Sequence, residues 1–259
     1  MHAAFLEHAV LVFPDQGLVP EEQVDFAKRF GAIEILTPNP KLEAVTITNV
    51  APDGSILGND EDMIQILRGN EGWHTDSSYN PLAAKASILS AHVLPTEGGQ
   101  TEWADMRAAY DALDEATRAR IRDLSAHHSL YHSQAKIGHA PKSDALSGFR
   151  NAGAPLRPLV KRHPETGRDA LFIGRHAYGI PGLDEVESET LLDQLMAFAC
   201  QPPRIYRHDW RVGDVVVWDN RAVLHRARPY DPSEPRTMVH TRIAGERNHE
   251  YAAADPGFR

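Results

Sequence analysis

The sequence predicts a mainly β protein with covering helices, its core a double sheet of jelly-roll type. Three observations predict it. Strand-length runs, apolar or alternating, recur along the chain and fill its final third. Helical patterns are few and do not alternate regularly with strands. No strand–Gly-x-Gly-x-x-Gly–helix unit is present, which argues against a dinucleotide fold. There is no internal repeat, low-complexity tract or linker, so residues 1–259 are expected to form a single domain.

In order, residues 2–9 look like the end of a helix, and Val10–Phe13 is a short apolar strand closed by Pro14-Asp15-Gln16-Gly17. Pro20 and Gly31 bracket a helix, Glu21–Phe30. Val45–Val50 alternates as a strand, and Ala51–Gly54 turns the chain. Gly58–Gly72 is polar and is expected to cover the site as a loop. Ser87–Leu94 is a strand, and Thr96–Thr101 is a tight loop around Gly98-Gly99. Asp105 can cap a helix to Leu113, and Asp114 a second to Leu124. Residues 133–154 lack periodicity and are expected to form a long mobile loop, a lid. Leu156–Arg162 and Ala170–Gly174 can pair across the Pro164–Arg168 turn. Glu185–Cys200 has an apolar helical face. Arg204–His208, Asp214–Trp218, Ala222–Leu224 and Arg236–Ile243 are strands.

The composition is that of a soluble globular protein, 42% hydrophobic and 24% charged. A net charge of −9 with no basic run argues against nucleic-acid binding. The single Cys200 excludes a disulfide framework or a cysteine-rich zinc site and fits a reducing compartment. No apolar run is long enough to span a membrane, and the first residues lack a signal-peptide pattern. The expectation is a cytoplasmic protein whose partners are a small organic acid and further copies of itself, a homo-oligomer.

The chemistry centres on Trp73-His74-Thr75-Asp76-Ser77-Ser78-Tyr79. On an extended strand, His74 and Asp76 share a face and can grip one ion. His225 follows 149 residues after Asp76, behind the buried-looking run Asp214–Asp219. Two histidines and a carboxylate are the donor set of non-heme Fe(II) oxygenases, although zinc accepts the same donors. The triplet alone is weak, since 14 histidines in 259 residues make about one His-x-Asp a chance event. His163-Pro164-Glu165 reads as an ordinary turn. Arg236 suits bidentate capture of a carboxylate, or is a surface arginine in a salt bridge. Thr101 can add a hydroxyl to the same carboxylate, or merely starts a strand. His240 shares a strand face with Arg236 and Met238, so it either looks into the cavity or is a bonded core histidine.

These stretches carry a resemblance. Asn70 with Trp73-His74-Thr75-Asp76, then Gly98-Gly99-Gln100-Thr101-Glu102-Trp103-Ala104-Asp105-Met106-Arg107, then Trp218-Asp219-Asn220-Arg221-Ala222-Val223-Leu224-His225-Arg226 with Arg236 resemble the taurine/2,4-dichlorophenoxyacetate dioxygenase family. The resemblance runs from about Leu6 to Gly245. Through Ala108–Leu113 and Phe172–Ala177 it is most similar to the branch that cleaves (S)-2-phenoxypropionates. It implies a double-stranded β-helix core and an enzyme that uses Fe(II), 2-oxoglutarate and O2. His74, Asp76 and His225 would hold iron, and Thr101, Arg236 and Trp218 would hold 2-oxoglutarate. Asn70 would line the site. Succinate and CO2 would be released, and a hydroxyl placed on the ether carbon of an aryloxyalkanoate, which then falls apart to a phenol and a 2-oxo acid. Asp76 disfavours halogenation, because related halogenases lack that carboxylate. Many members carry an arginine four residues after the cosubstrate arginine to hold the substrate anion; this chain has His240, as the phenoxypropionate branch does. Arg175, His176 and Arg207 are the candidate replacements. The family usually has a further segment ahead of the helix that this chain enters at Met1. The alternatives are a taurine, alkylsulfonate or alkyl-sulfate dioxygenase and, in another class, a non-catalytic β-barrel that binds a metal or a small acid.

Overall fold

A computed structural model describes residues 1–35, 37–38, 41–140 and 154–255. α1 (His2–His8) leads to β1 (Val10–Phe13), α2 (Pro20–Ala27), the short pair β2 (Thr37–Pro38) and β3 (Lys41–Leu42), and β4 (Val45–Thr48). Next come α3 (Asp62–Gly69), β5 (Ala84–Val93), β6 (Thr101–Asp105), α4 (Met106–Asp111), α5 (Glu115–Ile121), β7 (Ser125–His128) and α6 (Leu130–Ala135). The rest is β8 (Ala154–Pro158), β9 (Val160–Arg162), β10 (Asp169–Leu171), β11 (Ala177–Tyr178), α7 (Glu185–Ala199), β12 (Ile205–His208), β13 (Val215–Asp219), β14 (Val223–Ala227), β15 (Thr237–Ala244), α8 (Arg247–Glu250) and β16 (Ala254–Asp255).

The largest sheet runs β1-β13-β5-β15-β4, antiparallel throughout. Its central strands are covered on both faces, which is why Val215-Val216-Val217-Trp218 reads as a continuous apolar run rather than an alternating one. Outward residues Ala86, Ile88, Val215, Val217 and Ile243 pack against Phe5 and Ala27 of the two first helices. From α2, Gln23 Nε2 donates to the Val239 carbonyl at 3.0 Å and to Thr241 Oγ1 at 3.1 Å, fixing the helix to the outer face of β15. Inward residues Leu89, Trp218, Met238 and His240 line a cavity whose opposite wall comes from the three-stranded sheet β12-β6-β14, through Thr101, His225 and Ala227. A second core cluster lies under α4 and α7, where Leu191, Leu192 and Leu195 pack with Met106, Ile121, Leu171 and Ile173.

Some elements differ from the sequence expectation. The polar segment Gly58–Gly72 contains α3: Ile64 is buried, and Leu67 reaches the cavity. The polar run Gly58-Asn59-Asp60-Glu61 masks this short apolar stripe. The α2 helix ends at Ala27 rather than Phe30, yet Phe30 still packs edge-on to Phe5 at 5.3 Å. β7 was not expected, since Ser125-Ala126-His127-His128 lacks strand-like composition; it pairs with both β8 and β11. The expected strand Leu156–Arg162 breaks at Leu159, so β8 pairs with β7 while β9 pairs with β10. Of the expected lid 133–154, residues 133–135 are helical in α6, and residues 141–153 lie outside the described residues.

Candidate metal centre

His74 and His225 sit side by side because their backbones form an isolated antiparallel bridge. His74 N donates to the His225 carbonyl at 3.0 Å, and His225 N donates to the His74 carbonyl at 2.8 Å. The imidazole centroids are 4.1 Å apart. This single bridge replaces the extended strand that the sequence suggested. The chain turns immediately at Asp76, and Ser77 takes a left-handed φ of 55°. Asp76 Oδ2 lies 3.6 Å from His225 Nε2. His74, Asp76 and His225 are all buried, and one ligand atom from each lies within 4.8 Å of the other two.

The three side chains fit a divalent transition metal. His74 Nδ1 lies 2.8 Å from the Gly72 carbonyl and donates its proton there, leaving Nε2 as the ligand atom. Burial pulls His74 down to about 4 and His225 well below its ordinary value, so both rings are neutral, the coordinating form. Burial by itself would raise Asp76, but the Arg242 guanidinium beside it outweighs burial and holds the carboxyl well below the usual range.

The carboxylate is held by a residue that the sequence argument passed over. Asn220 Oδ1 accepts from Trp218 Nε1 at 3.0 Å, Thr75 Oγ1 at 3.2 Å and Asp76 N at 3.3 Å. Its Nδ2 donates at 2.9 Å to Ser87 Oγ, which donates at 2.7 Å to Asp76 Oδ2. An amide in the turn that follows a buried Trp-Asp pair was the available signal.

Arg236 and Thr101 line the same cavity as the three candidate ligands. Gly98 and Gly99 have φ values of 80° and 69°, which L residues rarely adopt. A Cβ on Gly99 would stand 3.0 Å from Arg236 Nε, so the glycine makes room for the guanidinium. Arg236 donates from Nη2 to the Gly99 carbonyl at 3.1 Å and lies over the Tyr230 ring. Among the described residues its buried Nε has no hydrogen-bond partner. Thr101 Oγ1 accepts from Trp210 Nε1 at 3.0 Å, which leaves its own proton free to donate. Trp218 faces the cavity with its ring, because its N–H is spent on Asn220.

Asn70, at the end of α3, lines the cavity, and its carbonyl accepts from Ala227 N at 2.9 Å. His240 also looks into it: the ring stacks on Trp218 at 5.9 Å, and Nε2 lies 3.4 Å from Asp76 Oδ2. His176 packs against the flank of the site, 5.9 Å from the His74 ring and 4.9 Å from Tyr79. Arg175 lines an adjoining cavity with Trp73 and Lys136, donating to the Ser133 carbonyl at 3.0 Å. Arg207 is not brought to the site: it is exposed on β12 and pairs with Asp209 at 3.2 Å. The register pairs it with Glu102, on the face of the β12-β6-β14 sheet turned away from Thr101 and His225. His163 lies in the expected turn, but its ring is buried: Nδ1 accepts from Glu165 N and Thr166 N, and Nε2 donates to Asp219 at 3.0 Å.

A family model described as "Taurine catabolism dioxygenase TauD, TfdA family" matches residues 1–242. The (S)-phenoxypropionate/alpha-ketoglutarate-dioxygenase of Sphingobium herbicidovorans is 55% identical over 260 aligned positions, covering 98% of this chain and 88% of the relative. An alpha-ketoglutarate-dependent 2,4-dichlorophenoxyacetate dioxygenase of Burkholderia sp. is 41% identical, covering 93% of this chain and 83% of the relative. The solved structure of AAD-2 in complex with Mn(II) and N-oxalylglycine superposes with a TM-score of 0.85 at 40% identity, covering 94% of this chain and 86% of that one.

Proposed function

The chain belongs to the taurine catabolism dioxygenase TauD, TfdA family, and we propose that it applies that family's 2-oxoglutarate-dependent oxygenation to an aryloxyalkanoate. The observation that carries this reading is one cavity lined by His74, Asp76 and His225 and also by a buried arginine whose Nε has no partner among the described residues. A bare metal store has no use for such a cation, which counts against the non-catalytic binder. The relatives that act on (S)-phenoxypropionate and 2,4-dichlorophenoxyacetate support the substrate class.

In this reading His74, Asp76 and His225 hold Fe(II), and the whole chain is one catalytic domain with a jelly-roll core. The metal, when bound, supplies the site where O2 and 2-oxoglutarate react to give succinate, CO2 and an oxygen atom for the substrate. Arg236 pairs with the distal carboxylate of 2-oxoglutarate, and Thr101 donates its free hydroxyl proton to the same group. The Trp218 ring walls off the cosubstrate with Leu89 and Met238. Insertion of oxygen at the carbon bearing the ether oxygen gives an unstable product, and its collapse releases a phenol and a 2-oxo acid.

The substrate anion needs its own partner. His240 is a weak one, being an imidazole already beside Asp76. We assign the role to Arg175 with His176, the pair flanking His74, and place Asn70 at the substrate wall. Arg175 is largely buried, and the hydrogen bonds it makes among the described residues go to uncharged oxygens. The same reading places the enzyme in the cytosol as a homo-oligomer; among the described residues no helix is long and apolar enough to cross a membrane. The deciding experiment is a panel of aryloxyalkanoates, sulfonates and sulfate esters assayed for Fe(II)-dependent succinate formation. Phenol release supports the proposal. Sulfite or sulfate release instead identifies a sulfonate or sulfate-ester oxygenase, and no succinate with any acid points to a binder.

A further inference from the structure

Arg236, just before β15, and Met238, His240 and Arg242 on it line the cavity. The proposed reaction uses Arg236 and Met238 and gives Arg242 no part. Its Nη2 stands 3.3 Å from Asp76 Oδ1, and its Nη1 donates to Ser77 Oγ at 3.2 Å. Ser77 Oγ in turn lies 2.8 Å from both carboxylate oxygens of Glu34. Asn80 Nδ2 adds a third bond to Glu34 at 3.0 Å, and the backbone closes the loop where Glu34 N donates to the Arg242 carbonyl at 2.8 Å. Ser77 is wholly buried and sits in the left-handed region, which costs roughly 1–2 kcal/mol for a residue with a side chain. The surrounding bonds must hold it there.

The two oxygens of Asp76 are thereby made unequal. Oδ1 faces the Arg242 guanidinium, and Oδ2 faces His225 and His240 and accepts from Ser87 Oγ at 2.7 Å. We propose that the Glu34–Ser77–Arg242 chain positions the metal-binding carboxylate, keeping Oδ1 away from the metal so that Asp76 offers Oδ2 alone. This rests on the metal centre proposed above. Arg242 acts through Asp76 and is a positioning residue. Its effect on metal affinity has a diagnostic sign. A cation near a metal site weakens metal binding by simple repulsion, so deleting it would tighten binding. If its work is to hold the carboxylate, deleting it loosens binding.

The test is titration of the metal-stripped protein with Mn(II) in the absence of oxygen and substrate, following free Mn(II) by electron paramagnetic resonance. Wild type is compared with R242M, R242K and E34Q, with circular dichroism and cooperative melting as checks of folding. The expected result is a loss of affinity on the order of 10–100-fold in R242M, a smaller loss in E34Q, and substantial recovery in R242K. Unchanged or tighter Mn(II) binding in a folded R242M overturns the proposal. Should R242M not fold, E34Q decides: it keeps the arginine and loses one charge from the chain, and affinity equal to wild type overturns the proposal. Wild-type protein that takes up no Mn(II) overturns the metal-centre reading itself, and this inference with it.

Discussion

At the scale of single residues, the centre is built by fixing which atom of each side chain is free. His74 spends Nδ1 on the Gly72 carbonyl and keeps Nε2. Thr101 accepts from Trp210 and keeps its proton. Asp76→Ala is therefore expected to abolish hydroxylation, measured as product formed per succinate; full activity in that variant contradicts the ligand assignment. Arg236→Ala removes charge-assisted hydrogen bonds worth about 1.5–3 kcal/mol each. It should raise KM for 2-oxoglutarate on the order of 10–100-fold and leave KM for the organic acid nearly unchanged. Equal effects on both would show that the arginine serves the site generally. Asn220→Ala strips a buried acceptor from Trp218 Nε1 and Asp76 N, each costing about 1–3 kcal/mol when orphaned, while Thr75 Oγ1 keeps the Asn220 carbonyl at 2.9 Å. A drop in melting temperature together with weakened metal binding is expected, and weakened binding without destabilisation would contradict the hub role.

At the scale of elements, the loop before β6 and the start of β15 are fitted to each other. Gly99 allows the turn and leaves the space in which Arg236 lies. Gly99→Ala demands a strained backbone and a shifted guanidinium, at about 1–2 kcal/mol for the backbone. KM for 2-oxoglutarate should rise while the far-ultraviolet spectrum is unchanged; a variant with wild-type KM would show that the guanidinium does not depend on this gap. The α3 helix shows the opposite case, where local sequence misleads. Its apolar residues are too few to announce a helix, and burial of Ile64 supplies the stabilisation that the isolated segment lacks.

At the scale of the whole molecule, the end of β13 is tied to the turn between β9 and β10. Asp219 accepts from Arg221 Nη2 at 2.8 Å and from His163 Nε2 at 3.0 Å, all three being buried. Burial alone would raise Asp219, but the Arg221 hydrogen bonds and then His163 bring it to about 2, below its ordinary 3.8. A depressed carboxylate stabilises the fold fully above its unfolded value, and the contribution is lost as pH falls through the folded one. Asp219→Asn should therefore cost on the order of 2–3 kcal/mol at neutral pH. The gap to wild type should close as pH falls from about 4 to about 2. Urea unfolding at pH 7 and at pH 3 measures it, and a gap independent of pH would sink the idea.

The sequence by itself determined the donor types, their order along the chain and most of the strands. These are local properties: apolar alternation, an imidazole two residues from a carboxylate, glycines where a turn must be tight. They mark His74 and Asp76 as a possible ion grip, and it is the resemblance of the ordered motifs to a known family that made His225, Thr101 and Arg236 legible as their companions. Only the tertiary structure decided that Arg207 faces solvent, that Asn220 joins Trp218 to Asp76, and that Arg242 reaches Asp76 from a strand 166 residues further on. Those outcomes depend on which strands become neighbours and which faces the sheets turn toward each other. Pairing between segments so far apart is set by burial of the whole core, and no single stretch of chain encodes it.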